Sequence, residues 1–335
     1  MAEQDSNLNE KRMSAGEPMQ PIGQVLRNLQ LNTNGKSSGV GHHRLQVEKT
    51  SGECQCQSCG KPFTGEITTH VYPPDWQHQL TPGVLVPHPS REFRPPYCPD
   101  CQARIDAEEE KAWQEKLAAM RRETVALWRK TCGIPEYLAA KTFDNFELGR
   151  HDDALRDARE WADNFDMENP RGYPSLIFYS ADPGLGKTHL MVSIANYLFD
   201  NWKGAPGRRR SPLVFVKGPR LVRRIRYTYN LPPDDYSHER EEDVYREITG
   251  VPLLLLDDVG KESPSKFTRE TYWYIIDERV TSGLPVIITS RLQLEGDDSL
   301  EKLMGEDTVD RLYGMTRGEI TEMTGQSYRS ERGIP

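Results

Sequence analysis

The residues with the most specific chemistry are Ala181-Asp182-Pro183-Gly184-Leu185-Gly186-Lys187-Thr188-His189. The apolar run SLIFYS precedes them and THLMVSIANYLF follows, so they join a strand to a helix. They fit the phosphate-loop pattern G-x-x-x-x-G-K-[ST] except at its first position, where Ala181 stands for Gly. Gly184 and Gly186 let the backbone curl so that successive N–H groups face phosphate oxygens, and the helix that follows adds its positive end. Lys187 is expected to reach the β- and γ-phosphates, with the Thr188 hydroxyl on Mg²⁺. A second run, VPLLLLDD, ends a buried strand in two carboxylates, Asp257 and Asp258. Carboxylates there are costly to desolvate unless they face a cation or water. Asp257 is expected to hold the Mg²⁺ shell, and Asp258 to orient or deprotonate an attacking water. The bland alternative is a pair of acids at an ordinary strand end.

Cysteines supply a second chemistry. Cys56-Gln-Ser-Cys59 and Cys98-Pro-Asp-Cys101 are two C-x-x-C pairs, and four thiolates suit tetrahedral Zn²⁺. The separation of the pairs exceeds that of compact zinc ribbons and implies an inserted hairpin or loop. Cys54 is a spare that could replace Cys56. His70, His78 and His88 lie between the pairs and read as surface residues. Cys132 stands apart as a buried or linker thiol. The start, MAEQDSNLNEKRM, has no apolar core, so it is not a secretory signal. A reducing compartment and a metal site follow, rather than disulfides.

A third group is basic. From Lys203 to Arg226 the chain carries Arg208, Arg209, Arg210, Lys217, Arg220, Arg223, Arg224 and Arg226 with no acid between them, and Tyr227 and Tyr229 follow. Cations beside aromatics suit a single nucleic-acid strand, through phosphate pairing and base stacking. Arg223, Arg224, Arg226 and Tyr227 are the chief candidates. The competing reading is a solvated basic segment balanced by the acidic DDYSHEREED that follows.

Elements must hold these groups in place. SLIFYS, PLVFVK, PLLLLDD and LPVIITS are four buried strands, with helices expected at 153–166, 187–202, 218–228, 238–248 and 266–282, and EITEMTG as a last edge strand. Buried strands alternating with helices predict an α/β domain whose parallel sheet is covered on both faces. This domain is placed at 133–335. Residues 51–102 form the cysteine-rich module, and 103–132 a helical linker with Trp113, Leu117, Met120 and Leu127 along one face. Residues 1–50 read as a mostly disordered tail. Within it PIGQVLRNLQL has Ile22, Val25, Leu26 and Leu29 at the spacing of a short amphipathic helix, which chance or a docking groove would explain.

Length and composition bound the rest. The 335 residues suit about two domains. A net charge of -8 excludes a globally basic nucleic-acid coat but leaves a local patch open. The mean hydropathy of -0.73 agrees with solvated tail and charged helix. No run approaches the roughly 18 apolar residues of a membrane span, so a cytoplasmic protein without a membrane partner is expected.

ADPGLGKTHL, PLLLLDDVGKE, LPVIITSRLQLE and the closing GQSYR together resemble the DnaC/DnaI helicase-loader and IstB branch of AAA+ ATPases. CGIPEYLAAKTFDNF is similar to the linker before that family's core. The resemblance covers about 133–330 and implies an AAA+ P-loop NTPase that binds ATP. It also implies self-association in the ATP state, contact with single-stranded DNA, and control of a replicative DNA helicase gripped by the cysteine-rich module. It places Arg311, in VDRLYG, as the arginine reaching a neighbouring subunit's ATP, with Arg317 in reserve. Arg329 would contact the γ-phosphate in cis, and Arg279 would lie near the subunit contact. One departure stands out. Where the family carries Asn after its fourth core strand, this chain has Thr289-Ser290-Arg291, and Arg291 accepts no hydrogen bond. Slow hydrolysis, or a takeover by Ser290 or Thr289, follows. The alternatives are an IstB-like helper of a transposase and an ATP-binding adaptor that does not hydrolyse.

Overall fold

The computed structural model describes residues 46–72, 77–81, 84–87, 90–229 and 238–328, with no side-chain description for 77–81 and 84–87. The amphipathic segment at 22–29, His88 and Arg329 lie outside the described residues. The chain divides into two compact units, Met1–Ala119 and Met120–Pro335.

In the first unit, β1 (Gln46–Gln55) pairs antiparallel with β2 (Pro62–Val71), and β5 (Arg91–Phe93) adds to the other edge of β2. A separate hairpin joins β3 (Gln77–Thr81) to β4 (Val84–Pro87). Strands β2 to β5 occupy the insertion expected between the two cysteine pairs, whereas β1 precedes the first pair. β1 begins at Gln46, inside the segment expected to be tail. Helix α1 (Pro99–Thr131) begins four residues before the expected linker helix and takes in Cys101. Pro99 and Asp100 suit its first turn, where a missing N–H costs nothing and an acid meets the helix dipole.

The second unit is the expected α/β layer structure. Its five-stranded sheet has the order β10 (Thr321–Glu322), β6 (Leu176–Tyr179), β9 (Val286–Ser290), β8 (Leu253–Val259), β7 (Leu213–Lys217), and every neighbouring pair is parallel. Strand β8 shows why both faces must be covered. Side chains alternate along a strand, so Leu253 and Leu255 enter one apolar cluster while Leu254 and Leu256 enter the other. On the first face lie α2 (Asp152–Asn164) and α3 (Lys187–Asp200). On the second lie α4 (Gly218–Thr228), α5 (Glu241–Gly250), α6 (Lys266–Ser282), α7 (Leu300–Met304) and α8 (Glu306–Met315).

Two expectations about packing are corrected. The stripe on α1 does not run through Leu127, which is exposed. It passes through Thr124 and Trp128, and Trp128 is fully buried. The Trp128 ring meets Trp202 edge-on at 4.5 Å, and its indole N–H donates to the Arg208 carbonyl at 2.9 Å. Cys132 is buried as expected. Arg279 is not a surface group. It has no exposed area, and its guanidinium donates to the carbonyls of Ile248, Thr249, Val251, Pro252 and Pro285. It thus fastens the end of α5 and the entries to β8 and β9.

Candidate functional site

The phosphate loop lies where β6 hands over to α3. Gly184 and Gly186 both have left-handed backbones, φ 76° and 99°, a conformation open to Gly without penalty. A Cβ on Gly186 would also come within 2.7 Å of the Phe146 ring. Lys187, at the first turn of α3, is buried. Its ammonium donates to the carbonyls of Ser180 and Asp182 at 3.3 Å each. Burial, and then the nearby Arg291 guanidinium, push its pKa down to about 8.

Opposite the loop, Asp257 at the end of β8 is fully buried. Its Oδ1 accepts from the Thr188 hydroxyl at 2.6 Å and the Thr289 hydroxyl at 2.7 Å. Its Oδ2 is buried with no hydrogen-bond partner, and burial pushes its pKa up. A buried carboxylate oxygen left without a donor is a costly arrangement unless a cation completes it. Thr188 and Asp257 therefore fit a hard, oxygen-seeking ion such as Mg²⁺.

Asp258 stands beside Asp257 but is turned differently. The β8–β9 register shifts between Leu256 and Val259, and Asp258 adopts φ 56° while its N–H donates to Thr289 Oγ1 at 2.9 Å. A bulge at a strand end re-aims one side chain in this way. The Asp258 carboxylate meets Lys261 at 2.9 Å and Lys217 at 3.8 Å.

These groups line one cavity of about 720 Å³ together with Tyr137, Lys141, Phe146, His189 and Arg291. Its phosphate end joins Lys187, Lys217, Lys261 and Arg291 to the two aspartates. The other end is set by the segment around the short helical turns Glu136–Leu138 and Phe143–Asn145. There His189 Nε2 lies 2.9 Å from both the Thr142 carbonyl and Asn145 Oδ1, and its ring meets Phe146 edge-on at 5.1 Å. Polar cations at one end and rings at the other suit a nucleotide. Sequence reasoning did not find Tyr137, Lys141, Phe146, Lys217 or Lys261 as lining groups. For Tyr137, Lys141 and Phe146 the one signal was the CGIPEYLAAKTFDNF resemblance, and for Lys261 the PLLLLDDVGKE one, each of which marked a segment and no side chain; Lys217 was noted only within the basic segment. The closing GQSYR does reach the loop: the Tyr328 N–H donates to the Gly184 carbonyl at 3.2 Å.

Other candidates lie elsewhere. Arg311 and Arg317 line a separate depression with Asp310 and Gly314. Arg311 Nε donates to Asp277 at 3.0 Å, and Arg317 to the Gly172 carbonyl at 3.3 Å. On α4, Arg223, Arg226 and Tyr227 are exposed, and Arg226 lies over the Phe267 ring at 4.9 Å. Arg224 departs from the expected basic surface. It is held between Glu239 and Glu247, with its Nε 2.8 Å from Glu239 and a terminal nitrogen 2.6 Å from Glu247. Glu239 and, on α5, Glu247 neutralise Arg224, while Arg223 and Arg226 face solvent.

In the first unit, the sulfurs of Cys56, Cys59, Cys98 and Cys101 lie within 4.8 Å of one another, and Cys59 and Cys98 are 3.8 Å apart. A tetrahedron with Zn–S bonds of about 2.3 Å has edges of roughly 3.8 Å, so the quartet fits Zn²⁺. Burial alone would raise the Cys56 thiol, but the backbone amides of Cys98, Cys59 and Ser58 bring it down to about 6. Cys54 is not in the quartet. Its thiol faces the Gly52 carbonyl at 3.8 Å. His70 packs against Phe93 at 4.7 Å and is not among the ligating groups either.

Known proteins place this arrangement. Residues 138–302 match the family described as the Bacterial DnaA ATPAse domain. The replicative helicase loader DnaC of Buchnera aphidicola subsp. Baizongia pistaciae is 27% identical over 216 residues, covering 61% of this chain and 80% of that protein. The DnaC of Escherichia coli K12 is 26% identical with the same coverage. Among solved structures, the DnaC helicase loader overlaps 57% of this chain and 100% of its own, at 24% identity and a TM-score of 0.44. No helix among the described residues is long and apolar enough to cross a membrane. With its phosphate loop, paired strand-end aspartates and parallel sheet, the chain is similar to AAA+ proteins of the DnaC-type helicase-loader kind.

Proposed function

We propose that this chain is a cytoplasmic, ATP-dependent loader of a replicative DNA helicase. The observation that carries the reading is the cradle of Lys187, Thr188 and Asp257 in a chain whose relatives bear the loader name across most of their length. The loop from Ala181 through His189 binds the phosphates of ATP, with Lys187 as the cation buried beneath them. Mg²⁺, held by Thr188 and Asp257, neutralises phosphate charge when bound. Asp258 orients the attacking water. Its carboxylate is held by Lys261 and Lys217, which supports slow basal hydrolysis.

Arg311 acts across a subunit boundary in the self-associated ATP state, exchanging Asp277 for a neighbour's phosphate. Arg317 is its reserve, and Arg329 completes the site in cis. Arg223, Arg226 and Tyr227 contact single-stranded DNA. The Zn²⁺-holding module of residues 51–102, joined to the 133–335 core by the 103–132 linker and preceded by the 1–50 tail, grips the helicase. Nucleotide state then works as a switch that decides which contacts are favourable.

The test is a pull-down from the native host with and without ATP, alongside phosphate release with and without single-stranded DNA. Recovery of the replicative helicase and DNA-stimulated turnover are expected. Recovery of a transposase in its place would overturn the loader reading for an IstB-like one. Nucleotide binding without DNA-stimulated turnover would leave an adaptor.

A further inference from the structure

The nucleotide site has a neighbour. A second cavity, of about 450 Å³, is lined by Tyr179, Ala181, Gly260, Leu292, Gln293 and Asp298. It shares Asp258, Lys261 and Arg291 with the first. Arg291 thus stands at the seam between the two cavities. It follows directly on β9, whose Thr289 bonds both Asp257 and the Asp258 N–H. Its Nε donates to the carbonyl of Ala181, the first residue of the loop, at 3.2 Å. That bond uses one of the five donors of a guanidinium. Among the described residues no carboxylate pairs with Arg291, whereas Lys261 and Lys217 face Asp258, Arg311 faces Asp277 and Arg224 faces Glu239.

The phosphate end of the site sets four cations, Lys187, Lys217, Lys261 and Arg291, against two carboxylates, Asp257 and Asp258. That excess of positive charge is relieved when an anion enters between them. The Nε anchor leaves the terminal N–H groups as the planar fork that matches phosphate oxygens. Loss of the hydrogen-bond acceptor that Asn would offer is thereby replaced by charge.

We infer that Arg291 is a catalytic residue in cis, a guanidinium that binds the terminal phosphate of the nucleotide. This rests on the ATP reading of the site and extends it. The position where the resembled family carries Asn here supplies a cation for the charge on the transferred phosphoryl group. Arg291 then distinguishes ATP from ADP, because ADP has no phosphate at the seam.

The experiment compares the full-length wild type with Arg291→Ala, Arg291→Lys and Arg291→Asn. Affinities for Mg-ATP and Mg-ADP are measured separately, with phosphate release and the thermal midpoint of each variant. The alanine variant is expected to lose about tenfold or more in ATP affinity, with ADP affinity within about twofold, and roughly 100-fold in turnover. Lysine should restore part of the ATP preference. Equal losses for ATP and ADP, or faster turnover in the Asn variant, would overturn the role of Arg291 while leaving the ATP site standing. Failure of the wild type to bind either nucleotide would instead overturn the ATP reading, and this inference with it.

Discussion

The Thr188 hydroxyl donates to Asp257 Oδ1 at 2.6 Å and so ties the first turn of α3 to the end of the central strand β8. The other oxygen of that carboxylate has no partner. A buried charge held ready for a cation costs stability when the cation is away. Asp257→Asn should therefore leave the apo thermal midpoint unchanged or raise it. It should also weaken nucleotide binding by about tenfold or more in Mg²⁺ while leaving binding in chelator nearly the same. Calorimetric titration in the two buffers checks both halves.

Lys187 gives a pH dependence with a definite sign. Its folded apo pKa is about 8, below the ordinary value of 10.5. Between those values the unfolded chain keeps a proton that the folded apo chain has released, so this group adds stability as pH rises through the window and withholds it below. A bound triphosphate favours the ammonium. ATP affinity should be flat below about pH 8 and fall above it by up to about tenfold per unit, with proton uptake on binding. Binding heats compared between buffers of different ionisation enthalpy will read that proton, and Lys187→Met should abolish it.

The cysteine quartet is expected to hold about one zinc ion per chain. Cys56→Ser or Cys101→Ser should remove the metal and lower the melting temperature of the first unit, whereas Cys54→Ser should keep the full zinc content. Elemental analysis of the purified variants separates these outcomes.

Arg223 and Arg224 adjoin on α4 and should behave differently. Arg223→Ala should weaken single-strand binding and reduce the dependence of log K on log salt by about one unit. Arg224→Ala breaks half-exposed ion pairs to Glu239 and Glu247 and should cost under about 1 kcal/mol of stability with little change in that slope. Fluorescence anisotropy across a salt series, with denaturant melts, distinguishes them.

Arg279→Met should destabilise the second unit by about 3 kcal/mol or more, because it strands carbonyls at the end of α5 and the start of β8 and β9 in the interior. Lys would carry the charge but not the fork and should rescue little. Urea midpoints check this, and nucleotide affinity per folded molecule should not change.

Much of this molecule was legible in the chain itself, because local pattern and local chemistry coincide there. Four apolar runs separated by helical segments determined a covered parallel sheet. Gly184, Gly186, Lys187 and Thr188 mark their own loop, and two C-x-x-C pairs mark their own sulfur cluster. Choices between neighbours of like type were settled only by the folded chain. Trp128 took the buried place rather than Leu127, and Arg224 found two glutamates while Arg223, among the described residues, found none. Arg279 was enclosed by carbonyls from segments about thirty residues away in sequence. Arg291 came to rest beside Ala181, 110 positions earlier. Periodicity and motif spacing report what a residue does with its near neighbours in sequence, whereas burial and charge pairing depend on which distant segments the sheet brings beside it.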